Sequence, residues 1–289
     1  MRTRLFIACI LVTTAAFSQK TDPFKPDSGV PKKIPGMHLA WQEEFNYTGK
    51  PDSSIWRYEN GFTRNRELQW YQPANANVVN GVLLIEGRKE NFPNPNYQEG
   101  SNDWRKNRKT VEYSSASIKT QGHKDFHFGR LEIRARIDSS LGSWPAIWTL
   151  GNGPWPLAGE IDIMEFYRVN DTATILANLA WGRSEKGGPM WNTGRTKLAH
   201  FLRKDPDWTK KFHVWRMDWS KETISIYLDD ELLNTQSLSE TLNPDDNNPF
   251  LKPQYLLLNL ALGENGGDPS RSKFPIKYEV DYVRYYITD

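Results

Sequence analysis

One cysteine, Cys9, is all that 289 residues contain, so no disulfide framework can staple this chain. A basic surplus is also missing: 37 Lys and Arg face 35 Asp and Glu, which argues against nucleic acid as a partner. No apolar run is long enough to span a bilayer; the longest, residues 5–16, is short of a transmembrane helix. There is no phosphate loop, no H-E-x-x-H and no G-x-S-x-G elbow, which removes the common nucleotide, zinc-protease and serine-hydrolase readings. His123 and His127 are four apart but flank a turn-like Lys-Asp-Phe, and they read as surface or cleft-rim residues rather than zinc ligands. Helical periodicity is confined to residues 196–204.

What is present begins with a leader. Arg2 and Arg4 precede the apolar run, and Ala16-Phe17-Ser18 is a small-x-small cleavage pattern. Residues 1–18 are therefore expected to be a signal peptide cut after Ser18, which implies a secreted or periplasmic protein. Lipidation at Cys9 is the weaker alternative, because the apolar run continues past it. Loss of the leader removes both arginines and the cysteine, leaving 35 basic residues against 35 acidic. Residues 19–38 carry Pro23, Pro26, Pro31 and Pro35 and read as an extended tether. Residues 39–289 show no second linker and no repeat, which predicts one domain.

Most of that domain has strand period. Residues 128–137 alternate Leu131, Ile133, Ala135 and Ile137 against charged neighbours. Residues 213–219 do the same, with Trp215 and Trp219 as candidate core. Val78 to Leu83 is a hairpin through Asn80-Gly81. Residues 255–262 form an apolar run suited to a strand covered on both faces. Short strands joined by Gly, Pro and Asn turns predict an all-β sandwich. Residues 91–110, 183–208 and 238–253 lack this period and read as long functional loops.

The sharpest feature is Gly159-Glu160-Ile161-Asp162-Ile163-Met164-Glu165-Phe166. Glu160 and Asp162 share one face of a strand, and Glu165 joins them only if Ile163-Met164 is bulged. The two glutamate Cα atoms would then be roughly 13 Å apart, and side chains leaning together would leave roughly 5 Å between carboxyls. That is the spacing of nucleophile and acid/base in a retaining glycosidase. Asp162 between them would raise the pKa of one glutamate. An ordinary solvated acidic face would bring Lys or Arg nearby in sequence; here the company is Trp144, Trp148, Trp155, Phe166, Tyr167 and Trp181. Trp144, Trp148 and Trp181 offer flat faces for pyranose rings.

Gly-Glu-Ile-Asp-Ile-Met-Glu resembles the catalytic signature of glycoside hydrolase family 16 in its bulged E-x-D-x-x-E form. Other segments match in order: Trp41-Gln42-Glu43-Glu44-Phe45-Asn46, Asn65-Arg66-Glu67-Leu68-Gln69-Trp70-Tyr71, Tyr113 to Thr120, Phe128 to Arg136, Trp144-Pro145-Ala146-Ile147-Trp148, and Val280 to Tyr286. The resemblance implies a β-jelly-roll of two curved antiparallel sheets with an open concave cleft. It also implies an endo-acting, retaining β-glycan hydrolase. Glu160 would be the nucleophile, Asp162 its assistant and Glu165 the acid/base. Trp144 and Trp148 would lie near the cleaved linkage, with Asn65 on its non-reducing side. No cofactor is implied for catalysis. A structural calcium is implied at Glu44, the Gly81 carbonyl and Asp281.

Two departures bear on substrate. Ala180, in Asn178-Leu179-Ala180-Trp181-Gly182, stands where laminarinases of the family usually have His. The loop 263–268 also lacks the Trp often found there in laminarinases. The expected partner is thus a polysaccharide or oligosaccharide: a galactose-containing glycan, such as mucin O-glycan, or β-1,3-glucan. Two alternatives stay open, a transglycosylase and a non-catalytic carbohydrate-binding protein. The chain is expected to act as a monomer.

Overall fold

The computed structural model describes residues 22–27, 29–182 and 187–289. The expected leader, 1–18, lies outside the described residues. In chain order the strands are β1 (Met37–Glu43), β2 (Arg57–Tyr58), β3 (Gln69–Tyr71), β4 (Ala76–Val79), β5 (Val82–Pro93), β6 (Thr110–Ser115), β7 (Ser117–Lys119), β8 (Asp125–Phe126) and β9 (Gly129–Ile137). They continue as β10 (Ser143–Gly151), β11 (Glu160–Val169), β12 (Thr172–Trp181), β13 (Met190–Lys197), β14 (His213–Trp219), β15 (Thr223–Leu228), β16 (Glu231–Ser237), β17 (Gln254–Leu262) and β18 (Ile276–Thr288). One helix, α1 (Leu198–Lys204), follows β13.

The strands form two sheets. The outer one runs β16-β15-β14-β9-β18-β5-β6-β3, with β1 on β18 and β4 on β5; the inner one runs β13-β12-β11-β10-β17-β7-β2, with β8 on β17. Pairing is antiparallel throughout except for β3 with β6. This is the expected jelly-roll sandwich with an open concave cleft, and the core fills the space between the sheets. Alternation supplies that core: Leu131, Ile133 and Ala135 of β9 and Trp215, Met217 and Trp219 of β14 are all buried in it. The β4–β5 hairpin turns through Asn80 and Gly81, both with positive φ (53° and 76°), the type I′ geometry that Asn-Gly favours.

The inner sheet is apolar on both sides. Ile147 of β10 and Ile161 of β11 point into the core, whereas Ala146, Trp148, Tyr255 and Leu257 form a separate small cluster on the opposite, concave face. This second cluster is the floor on which the site stands.

Two sequence expectations change here. Residues 183–208 are not one loop: they contain β13, which extends the inner sheet beyond β12. Nor is the described part of 19–38 a free tether. Arg134, almost fully buried, donates to the carbonyls of Lys25 (2.9 Å) and Asp22 (3.0 Å), and the Phe212 amide donates to the Pro23 carbonyl (2.7 Å). A buried guanidinium needs acceptors, and this stretch of backbone supplies them. The first strand, too, begins within the stretch, at Met37.

Candidate active site

The acidic strand β11 pairs with β12 through Glu160 to Ala180 and Asp162 to Asn178, then Glu165 to Leu176. Ile163 and Met164 therefore oppose the single residue Ala177, and both are fully buried in the core. The extra residue resets the alternation. Glu160, Asp162 and Glu165 all project from the concave face, opposite Leu150, Trp148 and Ala146 of β10.

Each carboxylate is held by named donors. The Trp155 indole N–H donates to Glu160 Oε2 at 2.8 Å. The Trp144 indole N–H donates to Glu165 Oε1 at 2.9 Å. Asn178 Nδ2 bridges Asp162 Oδ2 and Glu165 Oε2, 3.0 Å to each. Asp162 stands between the two glutamates on the same face of β11, so the three acids crowd like charges together. Burial pushes Glu160 and Glu165 up to about 7 from their ordinary 4.5; for Glu160 the neighbouring Glu165 charge adds to this. Burial and both neighbouring charges raise Asp162 well above its usual range. The cluster thus keeps a proton near neutral pH, while the Trp155 N–H and the positive Arg64 favour the ionised form of Glu160.

The expected aromatic residues separate into floor and core. Trp144 is 6 % exposed and packs edge-on against Tyr167. Trp148 is 8 % exposed; its N–H donates to Asn259 Oδ1 at 2.7 Å, and the Arg64 guanidinium lies 5.1 Å over its ring. Trp181 is not in the cleft at all. It follows Ala180, which faces Glu160, so alternation turns it into the core, where it packs edge-on against Phe250. Asn65 is exposed on the loop before β3 with φ of 55°, and it reaches the site through Glu67, to which its Nδ2 donates at 3.2 Å.

Several residues of the site were given no role by the sequence, although Glu67 lies in the matched segment from Asn65 to Tyr71. Glu67, almost fully buried, accepts from Gln69 Nε2 (2.6 Å) and the Tyr71 hydroxyl (3.3 Å), and its charge helps raise Glu165. Arg64 pairs with Glu59, which also accepts from the Ser117 hydroxyl at 2.6 Å. Asn178 and Asn259 belong to apolar strands, and only strand pairing reveals that they face the carboxylates and Trp148. Arg64 Nη1 and Asn178 Oδ1 are buried without a hydrogen-bond partner among the described residues.

The residues expected to hold calcium do not form a cradle. The Glu44 carboxylate accepts two N–H bonds from Arg284, at 2.7 and 2.9 Å. Asp281 is paired with Arg134 and accepts the Asp27 amide through both oxygens, at 3.1 and 3.0 Å. Pro26 lies against Gly81. Among the described residues no group of three or more His, Cys, Asp or Glu side chains converges as a metal site. Two guanidinium groups already neutralise these acids, and a dication beside them would be repelled. The expectation of calcium here is not supported by the donor set.

Residues 74–284 match the family model for glycosyl hydrolases family 16. The chain belongs to that family. It is an O-glycosyl hydrolase, and the family's members typically retain anomeric configuration. A beta-glucanase of Rhodothermus marinus is 35 % identical over 279 residues, covering 88 % of this chain and 86 % of that protein. A solved structure reported with endo-acting O-glycanases of the human gut microbiota that initiate mucin breakdown superposes with a TM-score of 0.80. It is 33 % identical and covers 90 % of this chain and 94 % of its own. An endo-beta-1,3-glucanase of Pyrococcus furiosus superposes at 0.73, with 30 % identity and coverage of 90 % and 100 %. Relatives of this kind make the family-16 chain an endo-β-glycan hydrolase.

Proposed function

We propose that the protein is a secreted, retaining endo-hydrolase of a galactose-containing glycan, such as a mucin O-glycan, with Glu160 as nucleophile, Glu165 as acid/base and Asp162 as the group that tunes them. The observation that carries the reading is the bulge, which aligns three carboxylates on one floor, each glutamate fixed by an indole N–H.

In the first step Glu160 attacks the anomeric carbon while the bond to the leaving oxygen breaks. Glu165 gives that oxygen its proton. Glu165, now ionised, takes a proton from water, the water attacks the same carbon, and Glu160 leaves. Asp162 shares its proton with whichever glutamate is charged. The unpartnered Arg64 Nη1 and Asn178 Oδ1 suit sugar hydroxyls, which both donate and accept.

Ala180 opposite Glu160 and the likeness to the O-glycanase structure favour the galactose-containing substrate. The second reading, β-1,3-glucan, is favoured by the Rhodothermus relative. Secretion rests on the leader pattern at residues 1–18. The test is the early product profile over mucin glycans, agarose, carrageenan, laminarin and mixed-linkage glucan. An oligosaccharide ladder from a galactose-containing glycan, released first as the β anomer by NMR, is expected. Monosaccharide alone, or initial α product, overturns endo action or retention. Strong laminarin turnover with none on galactose-containing glycans makes the second reading the right one.

A further inference from the structure

We infer that Trp155 and Trp191 together form the platform for the sugar ring on the leaving-group side of the cut, so that β13 carries a substrate subsite. This rests on the catalytic reading above.

Exposure separates the tryptophans. Trp144 and Trp148 are 6 % and 8 % exposed, whereas Trp155 and Trp191 are 48 % and 46 % exposed. The exposed two are neighbours, with ring centroids 6.5 Å apart and planes tilted by 53°. Large apolar faces kept in water at one spot mark a binding surface. What binds here is constrained by continuity with the acids, because Trp155 is the residue that donates to Glu160.

The sheet order gives the side. Leu150, Glu160, Ala180 and Trp191 stand abreast across β10, β11, β12 and β13. Trp191 is two strands from Glu160, about 10 Å. On the other flank, towards β10 and β17, Arg64, paired with Glu59, lies over Trp148, and Asn65 is the next residue of the same loop. If the non-reducing side of the substrate lies at Asn65, as the family resemblance implies, the reducing side runs over β12 and β13. Ala180 places no polar group between Glu160 and Trp191, so the ligand is a hexopyranose presenting its C–H face to two indoles.

The test compares the full-length protein with Trp191→Ala and Trp191→Phe on two substrates of the same glycone. One is a reducing-end-labelled glycan that the wild type cuts. The other is the corresponding glycosyl fluoride, whose leaving group has no ring. The ratio of kcat/KM for glycan over fluoride is expected to fall about tenfold in Trp191→Ala and to recover largely in Trp191→Phe. Transfer to an added acceptor oligosaccharide should fall with the ratio, since the acceptor uses the same platform. A ratio unchanged within about twofold, or an equal loss on both substrates, overturns the inference alone. A wild type that turns over neither substrate overturns the catalytic reading and the inference with it.

Discussion

Glu160 and Glu165 each accept one indole N–H, yet their surroundings differ: Arg64 acts on Glu160, and the negative Glu67 acts on Glu165. That asymmetry suits an ionised nucleophile beside a protonated acid. Glu160→Gln and Glu165→Gln should each lower kcat/KM on the order of 10³-fold with an unchanged circular dichroism spectrum. Asp162→Asn should cost less, since Asp162 tunes and does not react; equal losses in all three variants would contradict these roles. The tryptophans divide in the same way between chemistry and core. Trp181→Ala removes a core side chain and should destabilise by about 3–5 kcal/mol in denaturant unfolding, whereas exposed Trp191→Ala should shift stability by less than about 1 kcal/mol. The acids, their bulge and the nearby Trp144 are legible in the sequence because local spacing alone defines them. Trp181 is misleading because β12 is buried on both faces from Thr174 to Trp181, so composition does not say which side is the cleft. The arginine partners of Glu44 and Asp281 are legible nowhere locally, since they lie 240 and 147 residues away.

Among the elements, those with one apolar face, such as β9 and β14, declare themselves by alternation. The edge strand β13 does not: its residues alternate only between exposed and half-exposed, so it has no buried stripe to show. The bulge in β11 makes a further, discriminating case. Deleting Met164 leaves one residue between Asp162 and Glu165, and regular alternation still points both to the cleft. Such a variant should fold with a penalty of about 2–5 kcal/mol for the lost core methionine and keep measurable turnover. Inserting one alanine after Met164 makes the offset from Asp162 four, which regular alternation also points to the cleft, but it carries Glu165 two strand steps, about 7 Å, further along β11; no turnover is expected. If the deletion variant is folded but as inactive as Glu165→Gln, the bulge sets the distance between the carboxyls and does more than choose their face. Calorimetry together with glycan turnover on the two variants reads this directly.

Across the whole molecule two charge clusters sit on opposite sides of the sandwich and are balanced by opposite means. On the outer sheet, Asp27, Glu44 and Asp281 meet Arg134 and Arg284, and the segment from Asp22 to Asp27 closes over them. With guanidinium groups in place of an ion, a chelator such as EDTA should leave Tm within about 1 °C, a shift corresponding to only a few tenths of a kcal/mol; a larger drop would mean that a cation does bind there. In the cleft, among the described residues, no guanidinium is ion-paired with the three acids, and the cost appears as pH dependence. Glu160 and Glu165 titrate near 7 in the folded protein and near 4.5 when free of it. The folded state therefore binds more protons than the unfolded chain between those values. The cluster's contribution to stability is greatest below about 4.5, falls as pH rises towards about 7, and stays low above it. Activity follows the same proton: kcat/KM should decline above about pH 7 as Glu165 loses the proton it must donate. Replacing Glu160 with Gln removes one of the crowded charges while keeping its shape. At pH 8 that variant should melt several degrees above the wild type, since about 1 kcal/mol corresponds to 2–4 °C in a domain of this size. At pH 5, where the wild-type cluster is protonated, the two melting temperatures should converge. Scanning calorimetry at both pH values checks this, and a variant that melts below the wild type at pH 8 would show that Trp155 and Arg64 stabilise the Glu160 charge by more than burial penalises it.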